Sequence, residues 1–179
     1  MLLAKGHATR SSLAGQVGLT LAAAVLLTIS AKIQVPFWPV PMTLQTMAVM
    51  GLAAVLGPRL GLAAMGTYLA AGAAGLPVFA GAAAGVAYLA GPTAGFLLGM
   101  LLAMAVTGTL AEGRGTLGRA LAMLAGLTAI YVPGLLWLAQ FVPSERVLAA
   151  GFTPFILGDL VKLAVAVMLI EAGRRLTRR

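Results

Sequence analysis

Charged side chains are too scarce in this chain to cover a folded surface in water. They make up 9% of its 179 residues, against about 25% in an ordinary soluble domain. Hydrophobic residues account for 61%, and the mean hydropathy is +1.03. That balance excludes a soluble enzyme or binding module. It also excludes disorder, which requires low hydrophobicity and high charge density. The 23 glycines and 9 prolines suit helices broken and packed inside a bilayer, where both residues are tolerated. The sequence predicts an all-α integral membrane protein.

Crossing a hydrocarbon core of about 30 Å takes roughly 20 apolar residues in a helix. Six apolar runs are read as spans of a single membrane domain covering 1–179: 13–31, 43–56, 60–74, 93–111, 120–141 and 154–172. The first exceeds the roughly 7–15 residues of a signal-peptide core, and more runs follow it, so it reads as an uncleaved span. Pro36, Pro39 and Pro41 forbid a helix between the first and second, since each removes a donor and restricts the residue before it. Gly57-Pro58-Arg59 separates two short runs, and Gly75-Leu76-Pro77 and Gly91-Pro92-Thr93 bound an apolar connection. Residues 148–152 read as a short lid or turn, and Thr153-Pro154 as the cap and first position of the sixth helix.

Six spans place both termini on one side. Of the twelve basic residues, nine fall on that side: Lys5, Arg10, Arg59, Arg114, Arg119, Arg174, Arg175, Arg178 and Arg179. Lys32 and Arg146 fall opposite, and Lys162 lies within the sixth run. Basic residues accumulate on the cytoplasmic side, so both termini are expected in the cytoplasm of a multi-pass cell (inner) membrane protein surrounded by membrane lipid. The net charge of +8 is spread over span ends rather than gathered on a face, which argues against a nucleic-acid partner.

The outward connections are apolar and rich in backbone breaks. Non-helical backbone at membrane depth persists only where protein buries it or where it lines a cavity. An outward-side cavity capped by the Pro/Gly-rich segments 33–42 and 76–92 is therefore expected. Asp159 and Lys162 are its sharpest residues, about 8 and 12 Å along the helix from Pro154. Charges at such depth are functional-site candidates by default, and the i, i+3 spacing puts both on one face. A carboxylate beside an ammonium suits a small ligand with both N–H and C=O groups. Gln45, Trp38, Phe79, Tyr88 and Tyr131 are candidate pocket-lining residues, although the aromatics equally suit an interfacial belt. Ala14, Gly18 and Ala22, then Ala24 and Thr28, recur at four-residue spacing on the first span, the pattern that admits a partner helix. Ala22, Ala24 and Thr28 are taken as that face.

Catalysis has little to work with. The lone histidine is His7, there is no cysteine, and the only carboxylates are Glu112, Glu145, Asp159 and Glu171. No P-loop is present, and neither a cofactor nor a metal site is expected.

Several motifs in order resemble the BioY family, the biotin-specific membrane (S) components of energy-coupling-factor transporters. They are Ala31-Lys32-Ile33, Val35-Pro36, Pro39-Val40-Pro41 and Thr43-Leu44-Gln45-Thr46, then Gly72 and Gly75-Leu76-Pro77-Val78-Phe79-Ala80-Gly81. Gly91-Pro92-Thr93-Ala94-Gly95-Phe96, Ile130-Tyr131, Gly134, Trp137-Leu138, Pro154-Phe155, Gly158-Asp159 and Lys162 complete the set. The resemblance implies a six-helix protein that binds biotin from outside. It also implies a transmembrane coupling subunit and cytoplasmic ATPase subunits that drive release inward, although some members are said to work without them. It maps the family's binding carboxylate and lysine onto Asp159 and Lys162, matching the donors and acceptor of the ureido ring. Lys32 is the positional candidate for the biotin carboxylate. Gly81-Ala82-Ala83-Ala84-Gly85 departs from a family pattern that has more glycine and sometimes a polar residue. The alternatives are an S component for another small vitamin, or a non-transporting membrane scaffold.

Overall fold

The computed structural model describes residues 12–176; Lys5, His7, Arg10, Arg178 and Arg179 lie outside the described residues. The chain runs through α1 (Leu13–Lys32), a two-stranded hairpin of β1 (Gln34–Val35) and β2 (Met42–Thr43), α2 (Gln45–Ala73), α3 (Ala94–Ala111), α4 (Thr116–Leu138), α5 (Val147–Gly151) and α6 (Thr153–Leu176). Four helices among the described residues, α1 to α4, are long and apolar enough to cross a membrane. This is a multi-pass membrane protein. Leu13, Val17, Leu21, Val25 and Ile29 of α1 are all exposed, a surface that water would not tolerate and lipid does.

The second and third expected spans are the two arms of α2. Gly57 takes φ 75°, ψ 177° within it, a conformation an L side chain rarely adopts, and Pro58 then starts the next arm. The reversal is sharp. A Cβ on Gly61 would lie 3.8 Å from the Ala53 Cα, whereas eight residues along a straight helix are about 12 Å apart. By the same rise the arms are roughly 18 and 24 Å long, each short of a full crossing of about 30 Å.

α3 packs between α2 and α4, α1 lies along α2, and α6 lies along α2 and α4. Helices in lipid gain no hydrophobic drive from touching one another, so close backbone approach and van der Waals contact hold them together. Gly99 supplies that approach between α3 and α4, where a Cβ would lie 2.6 Å from the Ile130 carbonyl oxygen. Gly108 supplies it at the α2 reversal, where a Cβ would lie 2.6 Å from the Pro58 nitrogen. The buried layer between them holds Met50, Met65, Met104, Met123 and Ile130.

Two expectations change. Arg119, expected in the connection before the fifth span, lies inside α4, which begins at Thr116. Its guanidinium is buried in an ion pair with Glu171 of α6. Ala24, expected on a partner-helix face with Ala22, is buried in the core. Two residues apart on a helix is about 200° of rotation, so Ala22 and Ala24 cannot share a face. Ala14, Gly18 and Ala22 form the exposed row, while Thr28 is half-buried with its hydroxyl on the Ala24 carbonyl.

Gly108→Ala is expected to lower stability by about 1–3 kcal/mol through overpacking against backbone. Gly66→Ala, where a Cβ meets nothing within 4 Å, should be neutral or stabilising by up to about 1 kcal/mol. Thermal unfolding in detergent distinguishes the two.

Candidate functional site

Asp159 and Lys162 sit one turn apart on α6, with Asp159 only 6% exposed. The Asp159 carboxylate accepts three hydrogen bonds. Thr46 Oγ1 of α2 donates to Oδ1 at 2.8 Å, Lys162 Nζ to the same oxygen at 2.9 Å, and the Tyr131 hydroxyl of α4 to Oδ2 at 2.7 Å. Lys162 Nζ also donates to the Thr43 carbonyl of β2 at 2.7 Å. One buried ion pair thus gathers three helices and the hairpin.

A buried ion pair is tolerated only when further hydrogen bonds satisfy its remaining capacity. A carboxylate has about four acceptor positions and an ammonium three donors. Three of the former and two of the latter are taken. By that count the pair keeps one acceptor position, on Oδ2, and one donor, on Lys162 Nζ, and both residues line a cavity of about 50 Å³ walled by Val40, Met42, Phe96, Met100, Ile130 and Phe155. Pockets that hold small ligands run about 300–1,000 Å³, so the cavity as it stands is small for such a ligand. Its cover is the hairpin, paired Gln34 with Thr43 and Val35 with Met42, together with Phe37, whose ring meets Phe155 edge-on at 5.8 Å.

Of the expected lining residues, only Tyr131 reaches this cavity. Trp38 is 86% exposed at the hairpin tip. Gln45, Phe79 and Tyr88 belong to a second cluster built around Tyr68, on the other arm of α2. Phe79 stacks on Tyr88 at 4.8 Å and meets Tyr68 edge-on at 5.5 Å. Gly72 makes room for it, since a Cβ there would lie 2.1 Å from the Phe79 ring. Lys32 clasps this loop by donating to the carbonyls of Phe79 and Gly81 at 2.7 and 2.6 Å, which leaves its ammonium one donor. No residue of 76–92 lines the Asp159 cavity; that segment lies instead against Lys32 and the second arm of α2. The Gln45 amide and the Tyr68 hydroxyl are buried close to each other in this cluster, without a hydrogen bond of ordinary geometry from Gln45 Nε2 or the hydroxyl.

Sequence reasoning passed over Thr46. The available signal was its place one residue after Gln45, about 100° further round the helix, which turns it toward α6 while Gln45 faces Tyr68. Met42, Met100 and Ile130 carried no local signal at all.

The sequence model of the BioY family matches residues 5–179. The chain belongs to the BioY family. It is 40% identical over 158 residues to the probable biotin transporter BioY of Pyrococcus horikoshii, covering 88% of this chain and 95% of that one. It is 42% identical over 146 residues to the biotin transporter BioY of Thermotoga maritima, covering 80% and 86%. Among solved structures it is similar to the S-component for biotin from an ECF-type ABC transporter, with a TM-score of 0.78 at 26% identity over 92% of this chain and 91% of that one. Membership in BioY makes this a transport subunit rather than an enzyme.

Lys162→Met alone strands a buried carboxylate and is expected to cost about 3–5 kcal/mol. Adding Asp159→Asn should recover much of that loss, because no charge is then left unpaired. Thermal unfolding of the single and double variants measures the difference; equal losses would show the pair to be uncoupled.

Proposed function

We propose that this chain is the biotin-binding membrane subunit of a vitamin uptake transporter, and that Asp159 and Lys162 hold the ureido ring of biotin. The observation that carries the reading is the spare acceptor and donor on the Asp159–Lys162 pair. A ureido group offers N–H donors and a carbonyl acceptor on one small ring, and both can be engaged at once. The aliphatic and aromatic walls of the cavity suit a thioether ring and a hydrocarbon chain. Relatives named as biotin transporters support the same substrate. The Gln45 amide and Tyr68 hydroxyl, with the remaining Lys32 donor, are the candidate groups for the biotin carboxylate. The cavity's small volume requires the 36–41 segment to lift for entry.

The proposed topology has six crossings, with the arms of α2 as the second and third and both termini in the cytoplasm. Its support is charge placement. Arg59 and Arg174 line one cavity with Arg119, Arg114 lies in the turn just before α4 and Arg175 beside Arg174, whereas Lys32 and Arg146 flank the hairpin and α5 near Asp159. That asymmetry fits a cytoplasmic Gly57 end. Partners would be a transmembrane coupling subunit and cytoplasmic ATPases, and the exposed Ala14, Gly18 and Ala22 row of α1 would be the contact for a partner helix.

Titration of detergent-purified protein with labelled biotin is expected to show one saturable site per chain, weakened at least about thirtyfold by Asp159→Ala, the loss expected when one partner of a buried charge pair is removed. No binding by folded wild type would move the reading to another small vitamin or to a scaffold role. Unchanged affinity in Asp159→Ala would remove the site assignment while leaving the substrate standing. A reporter fused after Arg179 is expected to be cytoplasmic, and activity on the outer side would refute six crossings.

A further inference from the structure

The end of the bundle away from Asp159 carries a second cavity that the proposed ligand site does not use. Asp159 and Arg174 are separated by about 22 Å of helical rise on α6. The cavity holds about 570 Å³ between the α2 reversal, the α3–α4 turn and the end of α6. Its charged walls are Arg59, Arg119, Arg174 and one carboxylate, Glu112. Arg119 is 5% exposed and tied to Glu171, so at least one guanidinium is fixed in place. Three arginines stand there against Glu112 and Glu171.

An aliphatic groove of about 750 Å³ opens into the same place, between α1, the first arm of α2 and α6. Val55 and Arg174 line both spaces. Along α2 the groove extends from Leu44 to Val55, which is about 16 Å of helical rise. Leu26, Ile29, Leu52 and Leu169 wall the groove, and its floor is open at Gly51, where a Cβ would meet nothing within 4 Å.

A cationic cavity at the helix ends, leading into an aliphatic groove, has the charge order of a phospholipid. We propose that this end of the protein binds one anionic phospholipid, with its phosphate among Arg59, Arg119 and Arg174 and one acyl chain in the groove between α1, α2 and α6. Arginine's planar fork matches phosphate oxygens, and basic pockets between membrane helices suit anionic headgroups. A zwitterionic headgroup brings its own cation up to three guanidiniums and is disfavoured. The groove sets the depth and the arginines set the headgroup.

The test uses delipidated full-length protein in detergent, examined by native mass spectrometry after adding phosphatidylglycerol or phosphatidylcholine. Wild type is expected to retain one phosphatidylglycerol per chain in preference to phosphatidylcholine. Arg59→Gln combined with Arg174→Gln should weaken phosphatidylglycerol roughly thirtyfold, from the contribution of two surface cations, and leave phosphatidylcholine unchanged. Gly51→Leu should fill the groove and weaken both lipids. Monodisperse elution and unchanged helical circular dichroism establish that each variant is folded. Equal retention of the two lipids by wild type, or an undiminished preference in the double arginine variant, overturns the proposal. Undiminished lipid binding in Gly51→Leu overturns the groove as the acyl site.

Discussion

The arrangement depends on a carboxylate that a packed apolar interior does not tolerate alone. Asp159 is buried among packed side chains, where an unpaired charge costs several kcal/mol. Its three donors arrive from Thr46 on α2, Tyr131 on α4 and Lys162 on α6 itself, so the charge is compensated only when those elements are assembled. The ion pair therefore acts as a registration point. It fixes the height of α6 against α2 and α4 and, through the Thr43 carbonyl, anchors the hairpin that covers the cavity.

Meeting that geometry requires backbones to come closer than ordinary side chains allow. Gly99 and Gly108 let α3 touch α4 and the α2 reversal, which fixes the spacing of the helices carrying Thr46 and Tyr131. The reversal at Gly57 has a second effect. It folds α2 so that its first arm presents Thr46 to α6 while Gln45 faces Tyr68 on the returning arm. Two polar environments result from adjacent residues. One is saturated except for a single donor and a single acceptor, and the other sets Gln45 beside Tyr68 beneath an aromatic stack.

The two ends of the bundle divide their chemistry by charge. Near Asp159 the paired charges sit in an apolar enclosure of small volume, suited to a neutral polar ring. At the Gly57 end Arg59, Arg119 and Arg174 face one carboxylate, Glu112, around a larger space. α6 carries both, with Asp159 and Lys162 in its first half and Glu171, Arg174 and Arg175 in its last turns.

By itself the sequence determined the solvent, the helical class and the identity of the buried pair. Scarce charge and long apolar runs leave no other environment, and an ionisable pair inside such a run marks itself. It also determined the break at Gly57-Pro58, because glycine and proline act through local backbone sterics. Only the tertiary structure decided which polar groups meet. Thr46 and Tyr131 are distant from Asp159 in the chain, and although Tyr131 was a candidate lining residue, nothing local pairs either side chain with the Asp159 carboxylate. Gln45, Phe79 and Tyr88 were expected beside Asp159 and lie instead around Tyr68, since depth along a span says nothing about azimuth once helices pack. Arg119 read as a surface charge until Glu171 came to meet it from α6. Burial and pairing depend on packing between segments, and packing is written in no single stretch of sequence.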